Sequence, residues 1–283
     1  MENEIKEWQK VLYLDQGVPD NYVDVTFMKD LKKNLYTKTY DYWFVVKESG
    51  VLTHQICSVC IFITVFIYMD SMLLSPQILF CISFVTNILG YALKCIYFND
   101  GLKNNYYHDL RISVISLGFC FFLSPILMTL TQSISTDTIY AMTFFMFLCN
   151  LMFHDYGTKS VIVSRSISLN SAIFASVCLA SRLSTAWHTF SMLTFALQMF
   201  ALWPSFRTIF KKNTKDRAFV CMTVLTSLLS FIGVASISYI ASIQYLLLHI
   251  FITFLCPALF VHMQSYKNNI HGPWEEAVIN LKK

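Results

Sequence analysis

Charge is what this sequence has least of. Only 13% of its 283 residues are Asp, Glu, Lys or Arg, about half the roughly 25% of an ordinary soluble domain. That supply cannot cover a water-facing surface, which excludes an ordinary soluble globule. Glycine is scarce as well, with 8 in all, leaving little material for a loop that cradles a nucleotide. The chain carries no Walker loop, Gly-rich dinucleotide turn, His-Glu-x-x-His pair or Gly-x-Ser-x-Gly elbow. It has no Asn-x-Ser/Thr sequon either, as expected of a chain that exposes little outside the cytosol. Met1 to Lys10 is polar, and no apolar core appears before residue 51. A cleaved signal peptide is therefore not expected, and the first membrane helix should direct insertion itself. A net charge of +4 without an Arg-rich tract gives no reason to expect nucleic acid as a partner.

What is present in abundance is apolar: 55% of the residues are hydrophobic and 16% aromatic. A span needs about 20 apolar residues to cross the hydrocarbon core. The runs Val51–Met69, Met72–Tyr91, Ile112–Leu130, Ile139–Phe153, Val161–Leu183, Trp187–Trp203, Ala218–Tyr239 and Ser242–His262 predict an all-α polytopic membrane protein of about eight transmembrane helices. The stretch Ser236–Ser242 is the only turn available between the last two. Eight spans put the N-terminal segment, the even-numbered loops and the C-terminus on one side. Of the 21 Lys and Arg, only Arg182 then falls on the other side. Cations stay on the cytosolic face, so both ends are expected in the cytosol. Phe27, Met28, Leu31 and Leu35, interleaved with lysines, predict an amphipathic helix lying in the interface. The expected organisation is a cytosolic segment 1–50, a transmembrane domain 51–263 and a cytosolic tail 264–283.

Polar residues at membrane depth are costly unless paired or wet, so they mark the candidate sites. Arg165, about one turn into the fifth span, can pair with Asp155, snorkel to the interface or grip the phosphate of an anionic lipid. Asn170, with Ser168 and Ser171, marks either a helix face packed on other helices or a lipid cavity. Ser135 or Thr136 is placed to cap the fourth helix, with Asp137 at its positive end. His154 and Asp155, and His271 and Trp274, gather titratable and aromatic groups on the cytosolic side as candidate partner contacts. The nine cysteines lie nearly all inside apolar runs, where cysteine packs as a small hydrophobe. Cys57-x-x-Cys60 has no second pair nearby, and neither a metal nor a cofactor is expected.

Five stretches together carry a resemblance. Pro19–Asp24, Ser135–Met142, Ile173–Leu183, Phe200–Pro204 and Asn269–Trp274 closely resemble, in the same order, the PIG-C family, the C subunit of phosphatidylinositol N-acetylglucosaminyltransferase. The resemblance runs from about Trp8 to Ala277. It implies a non-catalytic, multi-span component of a complex in the endoplasmic reticulum membrane. That complex transfers N-acetylglucosamine from its UDP donor to phosphatidylinositol, the first step of glycosylphosphatidylinositol anchor synthesis. A different subunit with a soluble glycosyltransferase fold is the catalyst. On this reading the partners are the other subunits, phosphatidylinositol and membrane lipid. The spans gather acyl chains, and a basic rim of Arg165, Lys159, Arg207, Lys211 and Lys212 orients the inositol phosphate. Two other readings stand beside it: a membrane-embedded enzyme using Asp155 or Glu275 as base, and a lipid transporter or scramblase.

Overall fold

The computed structural model describes residues 17, 32–34, 38–97, 106–130, 133–156, 165–267 and 270–271. The chain divides into two compact units, Tyr42–Ala258 and a terminal unit of Met1–Asp41 with Leu259–Lys283. Among the described residues eight helical segments follow one another. They are α1 (Tyr42–Asp70), α2 (Pro76–Tyr97), α3 (Tyr106–Leu130), α4 (Thr136–Phe153) and α5 (Arg165–Ala180). A sixth joins α6 (Ala186–Leu197) to α7 (Trp203–Asn213) through a π-helical turn, Gln198–Leu202. Then come α8 (Asp216–Ile237) and a last segment joining α9 (Tyr239–Ile250) to α10 (Cys256–Met263) through a second π turn, Phe251–Leu255.

Six of these segments are long and apolar enough to cross a membrane, and the chain is a polytopic membrane protein. The exceptions are α5, and α6 with α7. At about 1.5 Å per residue, the 16 residues of α5 fall short of a hydrocarbon core about 30 Å thick. Both bury one face in the bundle. Positions His188 to Ala196 of α6 are buried without a break, and Ser168, Ser171, Ala172, Ala175 and Ser176 form a small-residue face on α5. Small side chains let helix backbones approach closely, and α5 packs along α4.

The first helix is the axis. Of its apolar stretch 61% is buried, against 6–22% for the other long spans. Phe62, fully buried, stacks on Phe195 at 6.0 Å and meets Phe147 and Phe200 edge-on at 5.9 and 5.3 Å. Side-chain contacts fix each segment's direction. Thr223 and Thr226 meet His54 near one end of α1, and Tyr68 is bonded to Ser236 near the other, so α8 runs parallel to α1. Asn150 lies by Gln55 and Tyr140 by Phe66, so α4 runs antiparallel. Arg207 by Val51 and Phe200 by Phe62 make the α6–α7 segment antiparallel too. Phe254 by Tyr42 and Tyr245 by Cys57 do the same for the last segment. Helix α2 runs with α6 (Pro76 O to Ser191, Thr86 to Gln198), and α3 opposes both (Ser124 to Ala186 O, Tyr91 to Asp109). Consecutive segments alternate in direction.

Local chemistry sets several ends. Ser135 caps α4, its Oγ accepting from Thr138 N at 3.3 Å, and Asp137 occupies the first turn, as expected. A single extended residue, Ser238, separates α8 from α9 and caps the latter, within the turn expected at 236–242. Helix α1 begins at Tyr42 rather than Val51, and α7 runs on to Asn213 rather than stopping at Trp203. Apolarity marks where a span leaves lipid, whereas the helix continues while its backbone can still pair.

In the terminal unit, Lys32–Lys33 pairs antiparallel with Ile270–His271. Tyr40 N donates to Gln264 Oε1 at 2.7 Å, and Gln264 Nε2 donates back to Tyr40 O at 3.1 Å, so one side-chain amide imitates a strand partner. The amphipathic helix expected over this region does not extend through Lys32–Asn34, where the backbone is extended and Asn34 takes a φ of 58°. Non-local strand pairing overrides the helical spacing there. Phe27, Met28, Leu31 and Leu35 lie outside the described residues.

The α1–α8 contact is tightest at Gly233, where a Cβ would stand 3.1 Å from Thr64 Cγ2, while Gly118 has nothing within 4 Å. Gly233→Leu should therefore cost about 1–3 kcal/mol through overpacking and lower the thermal midpoint of the detergent-solubilised chain. Gly118→Ala should leave that midpoint unchanged or raise it slightly, since alanine favours the helix. Equal midpoints for the two variants would contradict this packing.

A buried polar network at the basic end of the bundle

The start of α1, the end of α4, the start of α5, the end of α7 and the start of α8 share one end of the bundle. Lys47, Lys211, Lys212, Lys215 and Arg217 lie there. Two exposed ion pairs mark its rim: Lys211 with Glu48 at 2.7 Å and Lys47 with Asp216 at 3.3 Å. Beneath them is a connected set of polar side chains that ties four helices together.

Gln55 of α1, 1% exposed, donates through Nε2 to Asn150 Oδ1 of α4 at 2.8 Å. Asn150 Nδ2 donates to the carbonyl and to the hydroxyl oxygen of Ser168 on α5, both at 2.9 Å. A carbonyl can only accept, so the Asn150 amide has one orientation and Gln55 must donate to it. Ser168 Oγ donates to Asn150 O at 3.0 Å. His154, the C-cap of α4, places Nδ1 3.4 Å from the same hydroxyl, and Arg207 of α7 donates through Nη2 to its Nε2 at 2.8 Å. Guanidinium has no acceptor, so Nε2 is unprotonated and the ring proton sits on Nδ1, facing Ser168. Arg207 Nη1 donates to Val51 O at 3.3 Å, which returns the network to α1.

A second buried group adjoins it. His54, 0% exposed, holds Thr223 and Thr226 of α8 on its two ring nitrogens, both at 3.0 Å. Trp203 and Phe219 lie against its ring at 6.0 and 5.4 Å. Tyr156, just past α4, packs edge-on against His154 at 5.1 Å and donates to Leu151 O at 2.6 Å. Burial raises the Tyr156 phenol above its ordinary pKa, with the nearby Arg207 charge pulling the other way. The phenol is protonated at neutral pH and contributes no negative charge.

The sequence-predicted residues divide. Ser168, Ser171 and His154 are buried, and Ser168 and His154 belong to the network. Asn170 is exposed on the other side of α5, away from Ser168. Arg207 lies inside the network rather than on the surface, Lys211 is held by Glu48, and Lys212 and Asp155 are exposed. Arg165 opens α5 and His271 lies in the terminal strand, but their side chains, with all of Lys159, Trp274 and Glu275, fall outside the described residues. Sequence reading missed Gln55, His54, Asn150 and Trp203. The available signal was a lone polar side chain inside an apolar run, as at Gln55 and Asn150. Among the described residues no cluster of three His, Cys, Asp or Glu could hold a metal.

The arrangement holds helices together and presents a buried cation, Arg207, near the end of the bundle. Comparison with known proteins supplies what this geometry alone cannot. The family profile described as GPI2, phosphatidylinositol N-acetylglucosaminyltransferase, matches residues 8–275. The chain is 48% identical over 281 residues to the C subunit of phosphatidylinositol N-acetylglucosaminyltransferase from Rattus norvegicus, covering 98% of this chain and 94% of the relative. It is 46% identical to the Homo sapiens C subunit, over 96% of this chain and 93% of that protein. It is 33% identical to the GPI2 subunit of Schizosaccharomyces pombe, over 98% and 88%. No solved structure matches. Matched along nearly its whole length, the chain belongs to the GPI2 family, phosphatidylinositol N-acetylglucosaminyltransferase.

Proposed function

We propose that this protein is a membrane subunit of the complex that transfers N-acetylglucosamine from UDP-N-acetylglucosamine to phosphatidylinositol, the first step of glycosylphosphatidylinositol anchor synthesis. It works in the endoplasmic reticulum membrane, scaffolds the other subunits, including the catalytic glycosyltransferase, and helps present the lipid acceptor. The observation that carries this reading is the near full-length similarity to proteins named as the C subunit of that transferase. The geometry adds a reason for such a subunit. The acceptor hydroxyl sits on a lipid headgroup and the donor is water-soluble, so holding both in register replaces a chance encounter by an organised one. A rigid bundle with its cations at one end suits that task.

The proposed topology has all eight segments crossing, with the Tyr42 end of α1 and the end of α10 in the cytosol. Alternating helix direction supports it, as does the placement of every described Lys and Arg of the helices and their connections, except Arg182, toward one end. Arg182 lies at the opposite end and donates to Ile134 O at 3.0 Å.

Expression in cells lacking their own C subunit, followed by gentle solubilisation, tests the role. Transfer to phosphatidylinositol should be restored with the other subunits attached, and the isolated chain should transfer nothing. Activity of the isolated chain would overturn the accessory role. For topology, the cysteine of Lys215→Cys should react with a membrane-impermeant maleimide in sealed microsomes. That of Ser133→Cys should react at least about tenfold less until the membrane is permeabilised. The reverse pattern would invert the assignment.

A further inference from the structure

The buried cation of the network stands apart from the ion pairs around it. Arg207 is 3% exposed, yet among the described residues no carboxylate lies within ion-pair distance of it. The contrast with its neighbours is sharp. Lys211 and Lys47, on the rim where water would screen them, each have a carboxylate. The buried guanidinium has two neutral acceptors, Val51 O and His154 Nε2. They occupy two of the five N–H donors that the group carries. Arginine does not escape by losing its proton, and an uncompensated buried charge is strongly unfavourable. His154 already accepts from the cation, and the Tyr156 phenol is protonated. Among the described residues the site is short of one negative charge.

We infer that the missing charge is the phosphate of a phospholipid headgroup, seated on the unbonded N–H edge of Arg207 beside His154. A phosphodiester carries the single negative charge the site lacks, and the planar guanidinium fork matches phosphate oxygens in pairs. The position suits a headgroup. His154 and Tyr156 stand where α4 ends, with exposed Asp155 between them and exposed Thr208 beside Arg207, so the cation lies just beneath the surface. Trp203, stacked on Phe206 at 6.0 Å, and Tyr156 are the amphipathic aromatics found at headgroup depth. Exposed Leu202 and Met152 are apolar neighbours for acyl chains. This inference deepens the lipid-presenting reading above and rests on it for which phospholipid is bound, though not for the presence of a phosphate.

The test uses the whole complex, purified with the wild-type chain, Arg207→Gln, Arg207→Lys and the exposed control Lys38→Gln. Tightly held phospholipid is counted by mass spectrometry, and KM is measured separately for phosphatidylinositol and for the nucleotide sugar. Arg207→Gln should retain about tenfold less phospholipid, the scale of one charge-assisted contact. Arg207→Lys should retain more than the Gln variant, and Lys38→Gln should match wild type. A raised KM for phosphatidylinositol alone identifies the lipid as the acceptor. Lost phospholipid with unchanged KM identifies a structural lipid, and both outcomes support the phosphate site. Full retention by an assembled Arg207→Gln complex overturns it, as does a raised KM for the nucleotide sugar with phospholipid intact, which would assign the anion to the soluble donor. If Arg207→Gln does not assemble, phosphatidylinositol with a photoactivatable headgroup decides on the wild-type complex. Labelling of the peptides around Tyr156 or Arg207 supports the site, and labelling confined elsewhere rejects it. Subunit recovery and transfer by the wild-type complex report on the proposed function independently of these lipid counts.

Discussion

Lipid offers no hydrogen bonds, so a polar side chain inside this bundle turns back to its own helix, as Ser58 does to His54 O, or reaches a partner on another one. The rest of the structure depends on how α1 meets that demand. His54 and Gln55 are adjacent, and a helix turns about 100° between neighbours, so they face different ways. His54 binds α8 through Thr223 and Thr226, and Gln55 binds α4 through Asn150. One turn earlier, the Val51 carbonyl accepts from Arg207 of α7. Three helices are thus held in register around a fourth by bonds that a slip of one residue would break. Apolar packing alone tolerates such slips far better.

The aromatic cluster below adds mass without that selectivity. Phe62, Phe147, Phe195 and Phe200 fill the space between α1, α4 and α6. Close approach of α5 to α4 depends on the opposite choice of residue, Ser and Ala, which leaves room for Ser168 to bond both the amide and the backbone of Asn150. Segment α6, buried from His188 to Ala196, faces protein along most of its length, while α5 buries one face. Helices such as α9, hardly buried by their own chain, turn apolar surface outward.

For function, the consequence is a polarised molecule. One end holds the buried network, the ion-paired rim and most of the cations. The other has short turns closed by caps and backbone bonds, such as Ser135 on Thr138 and Arg182 on Ile134. The apolar flanks of the long spans, by contrast, remain exposed along the outside of the bundle.

The sequence by itself determined whatever depends on composition and short-range order. Apolar runs, scarce charge and the one-sided distribution of Lys and Arg established a many-span membrane helix bundle. Local chemistry established the Ser135 cap and the turn before Tyr239, because a cap involves residues three apart. The family was legible in stretches such as Phe200–Pro204. The tertiary structure alone decided which face of each helix looks inward. Asn170 and Ser168 are two residues apart on α5 and equally polar, yet one is exposed and the other central, since a helix rotation invisible to composition separates them. Arg207 reads in sequence as one more cation in a basic cluster; it is buried because α7 continues past the apolar run and carries it against His154. Lys32 and Lys33 read as part of an amphipathic helix but pair with residues at the far end of the chain. Burial and pairing across helices are long-range facts, and only packing fixes them.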